Sequence, residues 1–207
     1  MSLIKNLILK QDDFSLNIPS WSFEDRGVIA LSGPSGSGKT TVFRCLLGIE
    51  KCENLIWEME GVNISALPMK EKNIGVVFQT LDLFPHMTVQ ENIFFPLEVR
   101  GIQFEDAKQS FNHIVESLKI SHILKINSTK ISGGEKQRAA IARAIIAKPR
   151  FLFLDEPFSS LDEDLKLESR KLIKSVISDL KIPTLMISHD KNDIDELADQ
   201  VFKLKHL

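Results

Sequence analysis

Residues 28–41 read Val28-Ile29-Ala30-Leu31-Ser32-Gly33-Pro34-Ser35-Gly36-Ser37-Gly38-Lys39-Thr40-Thr41, and their order decides the fold class. A short continuous apolar run bounded by glycine is the pattern of a strand buried on both faces. From Gly33 to Thr40 the chain then matches G-x-x-x-x-G-K-[S/T], and a helical pattern follows from about Gly38 to Gly48. Glycines let the backbone turn tightly, so successive N–H groups face one concavity and can bind phosphate oxygens. The positive end of the following helix adds to that attraction. On this reading Gly33, Pro34, Ser35, Gly36, Ser37, Gly38 and Thr41 wall a phosphate cradle. Lys39 reaches the β- and γ-phosphates as a point charge, and the Thr40 hydroxyl ligates Mg²⁺.

Outward from this segment, further strands are expected over 3–9, 14–18, 55–59, 74–78, 151–155 and 184–188. Phe104, Ala107, Phe111, Ile114, Val115 and Leu118 recur at helical spacing, as do Leu165, Leu172, Ile173, Val176 and Leu180. Another helix fits 194–198. Apolar strands alternating with amphipathic helices imply an α/β fold, a parallel sheet covered on both faces. The helical middle reads as an insertion into it.

The bulk properties narrow the function classes. With 207 residues the chain suffices for one domain with a sizeable core. A net charge of −2 gives no electrostatic reason to expect nucleic acid as a partner. No apolar run approaches the roughly 20 residues that cross a bilayer, and Met1-Ser2-Leu3-Ile4-Lys5-Asn6 lacks the apolar core of a signal peptide. The two cysteines, Cys45 and Cys52, have no metal-ligand spacing and read as reduced thiols. These features suggest a cytoplasmic protein that reaches a membrane only through a partner.

A second chemical element is Phe151-Leu152-Phe153-Leu154-Asp155-Glu156, an apolar strand ending in two acids. Strand side chains alternate between faces, so the two carboxylates can take different tasks. Asp155 is expected to hold the Mg²⁺ shell, and Glu156 to orient and deprotonate the water that attacks the γ-phosphorus.

Three further segments choose among nucleotide hydrolases. Ile131-Ser132-Gly133-Gly134-Glu135-Lys136-Gln137-Arg138 resembles the L-S-G-G-Q signature of the ABC (ATP-binding cassette) ATPases, with Ile first and Glu fifth. Ser132 and the N–H groups of Gly133 and Gly134 start a helix over about 134–147, a second anion-binding helix terminus. Gln79 ends a strand, as the family's Q-loop does; His189 matches its switch histidine, and Ser159-Ser160-Leu161-Asp162 its D-loop. His86, His113, His122 and His206 match nothing and read as surface residues.

The resemblance spans the chain and implies a RecA-like P-loop NTPase core with an antiparallel β edge, over 1–79 and 148–207, and a helical subdomain over 80–147. It implies ATP and Mg²⁺ as ligands, with Glu156, His189 and Gln79 catalytic and Thr40, Gln79 and Asp155 around the metal. It also implies a head-to-tail homodimer, in which Ser132, Gly133, Gly134 and Asp162 of one copy meet the nucleotide of the other. The stretch 77–97, with Phe84, Met87, Ile93, Phe94 and Phe95, looks most like ATPases of bacterial solute importers. In those proteins this region receives a transmembrane subunit. The same site would serve an ABC ATPase that drives lipoprotein release or export. Repair and translation types carry long coiled coils or a second cassette, which this sequence lacks.

Two departures stand out. Family members usually stack an aromatic, often Tyr, on adenine, but this chain has no Tyr. Gln11 stands where the aromatic belongs, with Phe14 as its expected substitute. The sequence also ends at Leu207, without the C-terminal regulatory β-domain of many importer ATPases, so regulation through such a domain is not expected.

Overall fold

The computed structural model describes residues 1–11 and 14–204, without the side chains of Gln11 and Phe14. Strand β3 (Val28–Ser32) lies inside a five-stranded sheet. Its companions are β6 (Ile74–Val77), β7 (Phe151–Asp155), β8 (Thr184–Ile187) and β9 (Gln200–Lys203), in the order β6-β7-β8-β3-β9. Every pairing in it is parallel. A second sheet is antiparallel, ordered β2-β1-β4-β5, from β1 (Ser2–Gln11), β2 (Phe14–Phe23), β4 (Ile56–Met59) and β5 (Val62–Asn63). The antiparallel strands expected near the N-terminus therefore form a sheet of their own.

Period-two alternation sends the parallel strands' side chains into two separate cores. Ile29, Leu31, Phe151, Phe153, Leu185 and Ile187 face the antiparallel sheet and helix α1 (Lys39–Leu47). There Trp57 and Phe43 pack on Phe153, with ring centroids 5.9 and 4.7 Å away. Val28, Ala30, Leu152, Leu154 and Met186 face the opposite way, onto the other helices. The short helix α2 (Met69–Lys72) precedes β6. Its Lys72 is buried and donates to the carbonyls of Leu46 and Leu47. That places a cation at the negative end of α1.

Helices α3 (Val89–Arg100), α4 (Phe104–Ser117) and α5 (Gly133–Ile145) fall between β6 and β7 in the chain. Thr88 and Glu91 form a reciprocal cap at the start of α3, which tolerates Pro96 in its interior. Phe94 stacks among Phe104 and Phe111, tying α3 to α4. The last third carries α6 (Glu163–Leu180) and α7 (Lys191–Leu197). Strands β5 and β9 and the second half of β2 were not foreseen; the other strand expectations hold to within a residue or two.

Helix α5 crosses β6 where the strand has no side chain. A Cβ on Gly75 would sit 2.4 Å from the carbonyl oxygen of Ala144. Neither atom is on a flexible side chain, so the backbones must part to admit it. Gly75→Ala is expected to destabilise the chain by about 1–3 kcal/mol, the usual range for overpacking. Urea denaturation measures this, and an unchanged midpoint would show that the contact is slack.

Candidate active site

Because the sheet is parallel, β3, β6, β7 and β8 all end on one side, and the loops that follow them emerge together. Gly36 and Gly38 turn the loop after β3 through left-handed backbone, at φ 77° and 90°. Lys39 Nζ folds back to donate to the carbonyls of Gly33 (2.9 Å) and Pro34 (2.8 Å), and the Ser37 N–H donates to Pro34. Helix α1 begins at Gly38 with no side-chain cap and no acid in its first turn. Its first N–H groups have no partner within the helix, and its positive end is not neutralised. That is the arrangement an anion needs.

Asp155 is the last residue of β7 and is buried. Burial, and then the charge of Glu156, push its carboxyl up to about 6; a hydrogen bond from Thr40 and the charge of Lys39 act the other way. Glu156 does not continue the strand's alternation. It sits at φ 48°, rare for a residue with a side chain, and so both carboxylates line the same cleft. The turn is held by the Glu156 N–H donating to Ile187 and by Ser159 donating twice to the Glu156 carbonyl. Beyond β8, His189 Nδ1 lies 2.8 Å from Glu156 Oε2, its ring otherwise largely in solvent.

The resulting cleft has a volume of about 380 Å³. Its lining is Ser35, Gly36, Gly38, Lys39, Thr40, Thr41, Gln79, Asp155, Glu156, Ile187 and His189. Gly33, Pro34 and Ser37 shape the loop from behind. Thr40, Asp155 and Gln79 bring only oxygen donors for a metal, and one carboxylate among them. That fits Mg²⁺, which keeps waters and shares phosphate oxygens, better than an all-protein cage. Among the described residues no cluster of three or more His, Cys, Asp or Glu could hold an ion. A second cavity of similar volume, between Ile114, Ile145, Pro149 and Pro183, contains none of the site residues expected from the sequence.

Ser132, Gly133, Gly134 and Asp162 do not line the cleft. Ser132 caps α5, and a Cβ on Gly133 would lie 3.7 Å from Leu161, next to Asp162, which caps α6. This second helix start differs from the first, because it is already filled. The Ser132 N–H and hydroxyl both donate to Glu135 Oε2, at 2.8 and 2.7 Å, and His122 contacts Glu135 Oε1 at 3.0 Å. The serine hydrogen bonds, hydroxyl first, hold the Glu135 carboxyl below its usual range. Sequence reasoning missed this lock, although Ser-x-x-Glu is the spacing of a capping box. The side chains expected at the adenine, Phe14 and Gln11, lie outside the described residues, as does His206. Of the apolar stretch, Ile93 and Phe94 belong to the core, whereas Phe84 and Phe95 pair on the half-buried surface at 4.7 Å.

Helix α5 also reaches the other loops. Gln137 donates to the Pro157 carbonyl at 2.6 Å. Arg143 Nη2 and Nη1 donate to the carbonyls of Leu81 and Asp82, at 3.0 and 2.7 Å. Those two residues take left-handed backbone just after Gln79.

The fold is that of nucleotide-binding cassettes. Over its full length the chain superimposes on a solved ATP-binding cassette, MJ0796, in a dimeric post-hydrolysis state bound to ADP and Pi. The TM-score is 0.81, identity is 24%, and 95% of that chain is covered. Residues 16–159 match the family model described as ABC transporter, and the chain belongs to that family. It is 37% identical to the sulfate/thiosulfate import ATP-binding protein CysA of Mesostigma viride, over 96% of this chain and 58% of that protein. It is 33% identical to the probable CysA of Chlorella vulgaris, over 99% of this chain and 87% of that one. The chain thus spans little more than half the length of the first of these relatives.

Arg143→Ala would release both left-handed carbonyls. The expected loss of stability is about 1.5–3 kcal/mol, the range for hydrogen bonds to a charged group. Hydrogen exchange around 79–84 should quicken before the rest of the chain responds. Exchange that stayed at the parent rate would show that the loop holds itself.

Proposed function

We propose that this chain is the ATP-hydrolysing subunit of an ABC transporter, working as a homodimer on the inner face of a membrane. The observation that carries the reading is the meeting of an uncapped helix N-terminus, Lys39 and Thr40 with Asp155, Glu156, Gln79 and His189 around one cleft. Phosphate oxygens would take the α1 N–H groups and the free donor of Lys39, whose ammonium carries three. Thr40, Asp155 and Gln79 would hold Mg²⁺, which supplies charge neutralisation across the phosphates when bound. Glu156 accepts a proton from the attacking water. His189, already against Glu156, keeps that carboxylate in place and can donate to the γ-phosphate.

Ser132, Gly133, Gly134 and Asp162 of a second copy would complete the site, since in one copy they stand outside the cleft. Closure then depends on a charged ligand shared by two molecules, and hydrolysis releases it. Residues 80–147 act as the helical subdomain, and the surface pair Phe84 and Phe95 serves as part of the seat for a transmembrane subunit. Among the described residues no helix is long and apolar enough to cross a membrane itself. Solute import is the favoured direction, on the names of the relatives. Because the membrane subunits choose the cargo, sulfate and thiosulfate are the first solutes to test.

Glu156→Gln is expected to lower ATP turnover about 10²–10⁴-fold, the share a positioned base supplies. It should still bind ATP, and sedimentation should show a dimer that forms only with ATP. Turnover near the parent rate would remove Glu156 as the base. Lys39→Ala is expected to weaken ATP binding by about tenfold to a hundredfold, the equivalent of one charge-assisted hydrogen bond. Unchanged affinity in a titration would count against the cradle.

A further inference from the structure

Arg170, in the middle of α6, has no place in the chemistry above, yet it is 3% exposed. Burying a guanidinium is unfavourable unless every charge around it is matched. Its Nε donates to Asp193 Oδ1 at 2.6 Å and its Nη2 to Asp190 Oδ2 at 2.9 Å. Glu196 lies 3.7 Å from Nη1, and the guanidinium stands over the Phe158 ring at 6.0 Å. Asp193 is itself 2% exposed, and its other oxygen accepts the Ser188 hydroxyl at 2.6 Å. The Ser188 oxygen in turn accepts the Asp190 N–H at 3.1 Å.

Ser188 and Asp190 are the two neighbours of His189 in the chain. Both are fastened to one buried cation from behind, while in front, among the described residues, the imidazole is held by Glu156 alone. The fork of an arginine can hold both aspartates at once, which the single ammonium of a lysine cannot do in the same geometry. Lys166 approaches only the outer one, at 3.6 Å from Asp190. Without Arg170, Asp193 would be a buried and uncompensated carboxylate, and the loop would have to rearrange to hydrate it.

We infer that Arg170 is a positioning residue for His189, holding the loop 188–190 so that the imidazole meets Glu156 and the γ-phosphate. It touches no substrate and acts only through the histidine. The inference rests on the role given to His189 above. It adds a cause for that role that lies on a different helix, the one that Asp162 caps.

The experiment is a double-mutant cycle on ATP turnover in the full chain, combining Arg170→Lys and Arg170→Met with His189→Ala. In the parent, each Arg170 substitution should lower kcat about tenfold or more and change the ATP dissociation constant by less than about twofold. In the His189→Ala background the same substitution should change kcat by less than about twofold, because residues acting as a unit are not additive. A merely structural arginine would lower kcat by the same factor in both backgrounds, or would weaken ATP binding in step, and either result overturns the inference. Where Arg170→Met fails to fold, Asp190→Asn loosens the outer bridge and keeps the buried Arg170–Asp193 pair. It should show a smaller loss that also vanishes without His189; a loss that persists overturns the inference. His189→Ala at the parent rate would remove the role of His189 and this inference together. A slow His189→Ala on which Arg170 substitutions still act in full removes the inference alone.

Discussion

Two carboxylates share the end of a buried strand, and the site is organised around their repulsion. Asp155 is pushed up to about 6 by burial and by Glu156 beside it. In water such a pair separates and is solvated; here the strand fixes one, and a left-handed turn fixes the other against the same cleft. What offsets the negative charge comes from one direction. Lys39, the Thr40 hydroxyl and the open start of α1 all derive from the loop after β3, two strands away across the sheet. The parallel sheet matters because it delivers an acidic strand end and a cationic loop to one edge at a fixed separation. The proposed Mg²⁺, held by Thr40, Asp155 and Gln79, would add to the neutralisation that the protein begins.

The helices extend this centre outward. Helix α5 carries the capped Ser132 at its start, reaches Pro157 through Gln137, and reaches Leu81 and Asp82 through Arg143. Helix α6 carries Asp162 at its start and Arg170 in its middle. Each therefore connects a residue proposed to meet a second copy with a loop of this copy's own cleft. Arg143 and Arg170 make these connections through hydrogen bonds from a charged group, which hold geometry more tightly than apolar contacts do. The two cores on either side of the sheet supply the rigidity against which these struts work.

Much of this was legible in the sequence, and the reasons are local. The glycine loop announces itself because its residues must lie in order along the chain, and the acids of β7 do so because apolar strands rarely end in paired charges. Gln79 and His189 were found only through their place in the order of motifs, and the structure brings both to the cleft. What stayed hidden depends on partners distant in sequence. Strand β9 reads as the half-exposed Gln200-Val201-Phe202-Lys203, and only its pairing with β3 makes it a strand. Strand β2 runs on through Pro19, because at the edge of its sheet the missing N–H does no harm. Arg143 and Arg170 look like ordinary helix charges until the tertiary fold half-buries the first and buries the second. The alternation rule placed Asp155 and Glu156 on opposite faces, and it failed because a positive φ interrupts the strand between them.

That positive φ has a consequence for how the protein can change. A residue with a Cβ held in left-handed backbone costs on the order of 1–3 kcal/mol, a sizeable part of the roughly 5–15 kcal/mol that keeps a domain folded. Glycine at position 156 would relax the turn at no steric cost, but it would remove the carboxylate proposed as the base. On the role proposed for Glu156, the carboxylate and the most robust turn exclude each other at this one position.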